Sequence, residues 1–189
     1  YLDRMPRAGR FVSAFGSQSV PEESPALSDG TLDPATWPDV DQERLSAVYG
    51  AEADVLLRRF PPADYEDPGS WAAATRRHQA ELLRIQVEAL RIRKYRPTGG
   101  FALDRLLDVA PAVSGSLLDH QRSPKPAYDQ VAASCATTIV VADPPLSDIA
   151  PRSTLRFRVL VVHDGRVPLN HVRVDAVLTV AGKEESWSW

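Results

Sequence analysis

The sequence contains a single cysteine, Cys135, among its 189 residues. One cysteine excludes an internal disulfide and any metal site built from several cysteines. It fits a reducing compartment, so we expect a cytoplasmic protein. No apolar run is long enough to cross a bilayer, and no signal peptide opens the chain. Because the net charge is only -3, we expect neither nucleic acid nor a membrane as a partner.

Histidine is also scarce, and its four copies, His78, His120, His163 and His171, never stand at metal-ligand spacing. The sequence therefore predicts no metal site, and it contains no motif that calls for a cofactor. Cys135 follows a segment with helical character and is interpreted as a small core residue.

The first two thirds of the chain have the pattern of an α/β protein. A short apolar stretch at 10–13 predicts a strand, and helical spacing runs from Asp41 to Phe60, where Pro61 and Pro62 follow. The strongest prediction is one long helix over 71–94 with Ser70 as its N-cap. After it we expect a strand over 101–107 and a short helix over 126–135.

The long predicted helix has an apolar stripe and many arginines. The stripe comprises Leu82, Leu83, Ile85, Val87, Leu90 and Ile92. The arginines are expected to lie mostly outside it, at positions 76, 77, 84, 91 and 93. Because Glu81 and Glu88 share the helix, a solvated face is a better interpretation than a phosphate site.

From residue 136 onward the pattern changes to consecutive strands. β-Branched runs predict strands at 137–142, 155–162 and 172–180, separated by turns such as Asp143-Pro144-Pro145. Residues 172–180 alternate as one buried sheet face requires. The chain begins at Tyr1 and ends just after a turn signal at 181–184, as if the second strand of a hairpin had barely begun. We therefore expect a fragment with a boundary near residue 136.

Five segments, in this order and spacing, resemble the β-mannosidase branch of glycoside hydrolase family 2, especially its actinobacterial members. They are RFVSAFGSQSVP at 10–21, KYRPTGGF at 94–101, PAVSGSLLDH at 111–120, KPAY at 125–128 and IVVAD at 139–143. The resemblance implies an α/β fold followed by an all-β fold. Residues 1–135 would be the last two units of a (β/α)8 TIM barrel, and residues 136–189 the start of an immunoglobulin-like β-sandwich.

The same resemblance implies a function and a defect. Members cleave terminal β-D-mannosides with retention, which needs two carboxyl groups about 5–5.5 Å apart. The family's nucleophilic glutamate matches Ala14, which has no carboxylate. The general acid/base would lie in amino-terminal domains of the same polypeptide that this chain lacks. The resemblance thus predicts a β-mannoside or oligosaccharide ligand and a pseudoenzyme.

Sugar-facing positions of the family are altered as well. Asp104 stands in a stretch that normally carries an aromatic residue and a glutamine, and Gly115 replaces a tryptophan. Aromatic faces give sugars a flat apolar platform, so these changes weaken binding. Asp108 and Asp119 do match the family. We take Asp104 and Gly115 as candidate substrate-binding positions, although an exposed or ion-paired Asp104 is the simpler interpretation.

Other interpretations remain open at this point. Glu22 and Glu23 follow Ala14 closely but are better explained as solvated loop residues than as substitute nucleophiles. A non-catalytic carbohydrate-binding or scaffolding protein derived from the family is the main alternative function. An independent β-sandwich interaction module over 137–189 is less attractive, because so few strands rarely fold alone.

Overall fold

The structure, a computed structural model, describes residues 9–143, 154 and 156–189. By its contacts the chain divides into two compact units, Tyr1–Cys135 and Ala136–Trp189. The first unit contains two short strands and four α-helices, namely β1 (Phe11–Ser13), α1 (Gln42–Tyr49), α2 (Ala53–Arg59), α3 (Pro68–Ile92), β2 (Gly100–Ala102) and α4 (Pro126–Ser134). Two short 3-10 helices, Pro25–Leu27 and Pro62–Asp64, lie in its connections.

The helical spacing between residues 41 and 60 belongs to two helices rather than one. Asp41 caps α1 by accepting a hydrogen bond from the backbone N–H of Arg44. Gly50 ends it with a left-handed φ of 65°, and its N–H donates to the carbonyls of Leu45 and Ser46. A left-handed residue cannot continue a helix, so the chain turns before α2 begins.

Helix α3 begins three residues earlier than the sequence predicts. Its N-cap is Asp67, not Ser70, and the Asp67 side chain accepts from the backbone N–H of Ser70. Ser70 is the third helical residue and completes a capping box, because its Oγ accepts from the backbone N–H of Asp67. Pro68 occupies the first turn, where its missing N–H costs nothing.

The buried face of α3 differs in two places from the predicted stripe. Leu83, Val87 and Leu90 are buried as expected, but Ile85 is 42% exposed. Arg91, predicted to lie outside the stripe, is buried. Its Nη1 donates to the carbonyl of Ser134 at 2.5 Å, so α4 supplies the partner that makes a buried guanidinium tolerable.

The two strands of the first unit pair in parallel, with Val12 opposite Phe101. Strand β2 ends at Ala102, so the prediction of a strand over 101–107 is wrong beyond its first residues. The carbonyl of Leu106 accepts from the N–H groups of Leu117 and Leu118, which draws this segment into a loop instead of a ladder. Cys135, predicted to be a core residue, is exposed at the end of α4.

In residues 136–143 and 156–189, the second unit shows two antiparallel strand pairs. Strand β3 (Thr138–Asp143) pairs with β4 (Arg158–His163), and β5 (Asp175–Val180) pairs with β6 (Lys183–Ser188). Strand β6 is as long as β5, so the prediction of a second strand that has barely begun is wrong. Leu155, expected to open β4, and the turn residues Pro144 and Pro145 lie outside the described residues.

The alternating run in β5 is not a buried face in this structure. Ala176 is partly buried, whereas Leu178 and Val180 are more than half exposed. Trp187, which pairs with Ala176, is also exposed. The alternation predicted the strand correctly, but no described residue covers its apolar face.

Candidate functional site

A cavity of about 410 Å³ lies at the carboxyl ends of β1 and β2, the end of parallel strands where α/β proteins usually bind ligands. It is lined by loop residues after each strand and by the start of α2, namely residues 14–18, Gly50, Glu52, Val55, Asp104, Arg105 and 113–115. The walls therefore come from four separate stretches of the first unit. Polar and charged side chains predominate over apolar ones around the opening.

Ala14, the residue matched to the nucleophile, lies in this lining directly after β1. Its φ is 55°, in the left-handed region that residues with a Cβ seldom adopt. Strained backbone of this kind is concentrated at functional sites, where the surrounding structure holds it in place. A methyl group at this position supplies neither a nucleophile nor a general base.

The structure brings all three candidate residues together. Asp104 and Gly115 line the same cavity as Ala14, although they are eleven positions apart and lie 90 and 101 positions after Ala14. Asp104 lies in the loop two residues past the end of β2 and is exposed. Glu22 and Glu23 are exposed and do not line the cavity.

Glu52 and Gln18 are cavity residues that the sequence did not reveal. The carboxamide of Gln18 forms two hydrogen bonds with the backbone of Glu52, donating to its carbonyl at 3.0 Å and accepting from its N–H at 2.9 Å. These bonds join the loop after β1 to the start of α2. Glu52 is thereby held in the lining of the cavity, which Asp104 also lines.

A buried polar cluster lies behind the wall formed by residues 113–115. The carboxylate of Asp108 accepts from Ser114 Oγ at 2.7 Å and from Ser116 Oγ at 2.6 Å. Lys125 Nζ lies 3.8 Å from Asp108 Oδ2 and donates to the carbonyl of Ser114 at 3.2 Å. The match of Asp108 to the family was noted from sequence, but its serine and lysine partners were not.

Lys125 is the most perturbed cation of this cluster. Burial lowers the pKa of Lys125 to about 8, and the neighbouring carboxylates of Asp108 and Asp119 oppose that shift. Desolvation thus outweighs attraction here, as is common when an ammonium is taken out of water. The lysine can lose its proton in mildly alkaline solution.

Comparisons with solved structures find a β-mannosidase among their matches. A crystal structure of β-D-mannosidase from Dictyoglomus thermophilum matches this chain with a TM-score of 0.70 and 21% sequence identity. The chain has the fold of part of a β-mannosidase. The match covers 96% of this chain but only 22% of that enzyme, so the chain spans about a fifth of its length. No protein-family model matches the sequence, and no curated protein matches it either.

The described residues show two further features of the molecule. Within ranges 9–143 and 156–189, no three His, Cys, Asp or Glu side chains are grouped in a way that could hold a metal ion. None of the helices described is both long and apolar enough to cross a membrane.

Proposed function

We propose that the chain is a segment of a β-mannosidase-like glycoside hydrolase of family 2. In this proposal residues 1–135 are the last two units of a (β/α)8 barrel, and residues 136–189 begin an immunoglobulin-like β-sandwich. Strands β1 and β2 pair in parallel, and α1, α2 and α3 lie between them in the chain. Such strand–helix units require a helical crossover of this kind between parallel strands. The remaining barrel units would belong to amino-terminal domains of the same polypeptide.

The observation that carries the proposal is the cavity at the strand ends. It gathers Ala14, Asp104 and Gly115, three positions that the family resemblance selected independently of any structure. In a retaining glycosidase this is where the sugar and its nucleophile meet. We infer that the cavity is part of a mannoside site that has lost its nucleophile, so that the chain does not hydrolyse β-mannosides.

The test places this chain in a complete barrel. The segment of the Dictyoglomus thermophilum enzyme that matches it is replaced by this chain, and release of an aryl alcohol from an aryl β-mannoside is measured. The chimera carrying Ala14 is expected to be inactive. Ala14→Glu should raise the activity by a large factor, because a missing nucleophile costs on the order of a million-fold in kcat. The recovery should be only partial, because Asp104 and Gly115 still leave the sugar platform incomplete. Adding Gly115→Trp should raise kcat/KM further, by a much smaller factor.

Ser13→Glu is the matched control, since it adds the same carboxylate one residue earlier, on an exposed position of β1. Ser13 is the last residue of β1 and does not line the cavity, so this variant should stay inactive. Turnover by the Ala14 chimera at the parent enzyme's rate would show that position 14 is not the nucleophile. Equal rescue by Ser13→Glu and Ala14→Glu would count against the assignment in the same way.

A second candidate function is carbohydrate binding without catalysis. The lining favours it, because the exposed residues Glu52, Asp104 and Arg105 carry hydrogen-bonding groups suited to sugar hydroxyls. Titration of the chain with methyl β-D-mannoside, followed by NMR, measures this directly. Binding without hydrolysis supports this candidate, and no binding at millimolar sugar removes it.

A further inference from the structure

The charged pair Asp108–Lys125 lies behind the cavity wall and does not line the cavity. The side chains of Asp108 and Lys125 are only 1% and 2% exposed, and their charged atoms are 3.8 Å apart. Burying such a pair costs several kcal/mol in desolvation, and apolar replacements are often as stable. The pair is therefore weak evidence for stability, and its contacts suggest another purpose.

Asp108 holds the cavity wall from behind. Its two carboxylate oxygens each accept one serine hydroxyl, from Ser114 and from Ser116, and the N–H of Ser116 donates to Ser114 Oγ at 3.0 Å. The two serines flank Gly115, which is exposed and lines the cavity. The carboxylate thus fixes both ends of the turn that presents Gly115.

Lys125 donates to the carbonyl through which this turn is bonded to the opposite wall. The carbonyl of Ser114 accepts from Lys125 Nζ and also from the backbone N–H of Ser19 at 2.9 Å. Ser19 follows directly after the 14–18 wall, and its Oγ donates to Gln79 of α3 at 2.7 Å. One carbonyl therefore joins the wall that contains Ala14 to the wall that contains Gly115.

We propose that Asp108 and Lys125 are positioning residues that set the separation of the two cavity walls. They touch no ligand and act through Ser114 and Ser116. The inference rests on the proposed function only for the nature of the ligand, because the position of the wall can be measured without a bound ligand.

The test compares two buried aspartates in the same loop. Asp108→Asn weakens the clamp on the serines, whereas Asp119→Asn alters a carboxylate whose Oδ1 accepts only from the backbone of Gln121 and Ser123, away from the cavity. In NMR spectra, Asp108→Asn should displace the backbone amide signals of Gly115 and Ser116. It should also weaken the binding of methyl β-D-mannoside about tenfold or more. Asp119→Asn should lower stability while leaving these signals and the Kd near wild type.

A pH titration supplies a readout that a purely structural role would not move. Asp108, Asp119 and the Arg105 guanidinium, 3.6 Å from Asp108, are the charged groups around Lys125. Burial lowers the pKa of Lys125 to about 8. The wild-type Gly115 amide is therefore expected to titrate with Lys125, and Lys125→Met should abolish that titration.

Each outcome decides the inference. Unmoved Gly115 signals in Asp108→Asn, or equal displacement by Asp119→Asn, would overturn it. If Asp108→Asn does not fold, Ser114→Ala and Ser116→Ala each remove one clamp bond and must displace Gly115 for the inference to stand. If the wild type binds no mannoside, the carbohydrate-binding candidate fails, and the amide signals of the variants still decide whether the pair positions the wall.

Discussion

Lys125 is expected to make the free energy of unfolding rise with pH, which is the opposite of what a lysine stabilised by a buried ion pair would do. Its pKa falls from 10.5 to about 8 in the folded chain because burial disfavours the ammonium. Between these two values the unfolded chain binds more protons than the folded one, so stability rises with pH. A shift of this size corresponds to about 3 kcal/mol. We expect the free energy of unfolding of the first unit to increase by about 2 kcal/mol between pH 7.5 and pH 10, since the rest of the change falls outside this interval.

The assay is urea unfolding at closely spaced pH values, followed by tryptophan fluorescence. Trp71 is fully buried in the first unit, whereas Trp187 and Trp189 are exposed, so the change in emission reports mainly on unit 1. The series stops at pH 10. Burial and a hydrogen bond to Asp29 raise the pKa of Tyr49 to about 12, and that contribution is lost as pH rises from 10 to 12.

Lys125→Met is the control, since it removes the titrating group and should flatten the profile between pH 8 and pH 10. A wild-type stability that falls over this interval would refute the reasoning. So would the same rise in Lys125→Met, because the proton uptake would then belong to another group.

Two further predictions concern the residues under and beside the cavity. Leu83→Ala should destabilise the first unit by about 2–5 kcal/mol in urea unfolding, because Leu83 is buried and lies against Gly16 in the cavity lining. The exposed Ile85→Ala on the same helix should cost far less, and equal costs would contradict the packing. Ala14→Gly should stabilise by about 1 kcal/mol, since glycine adopts a positive φ without strain. Ala102→Gly, in β2, is expected to destabilise instead, and a loss of stability in Ala14→Gly would show that position 14 is not strained.

Long periodic segments could be predicted from the sequence, and short or locally capped ones could not. Helix α3 has seven turns of amphipathic spacing, so its end was misplaced by only two residues and its start by three, the latter by the choice of Ser70 over Asp67 as cap. Gly50 was not recognised as a break, because a left-handed cap within a continuous apolar pattern leaves only a single glycine as its signal. Arg91 was misplaced because its partner, the carbonyl of Ser134, is forty-three residues away.

The candidate site was predictable only as positions, not as an arrangement. The resemblance selected Ala14, Asp104 and Gly115, and the structure places them around one cavity. The resemblance gave no indication of Glu52, which enters the lining through a hydrogen-bonded contact with Gln18 thirty-four residues earlier. Long-range polar contacts of this kind have no periodicity and follow only from the folded chain.

The contact between Gln18 and Glu52 also restricts which residue can stand at position 18. A primary carboxamide presents one donor and one acceptor side by side, as a peptide group does, and here it docks on the N–H and carbonyl of a single residue. Glutamate lacks the donor, lysine lacks the acceptor, and asparagine is one methylene shorter. Exchange at position 18 would therefore remove at least one bond between the loop and the N-cap residue of α2, or require the loop to move inward, so this side chain pairs as a peptide group does.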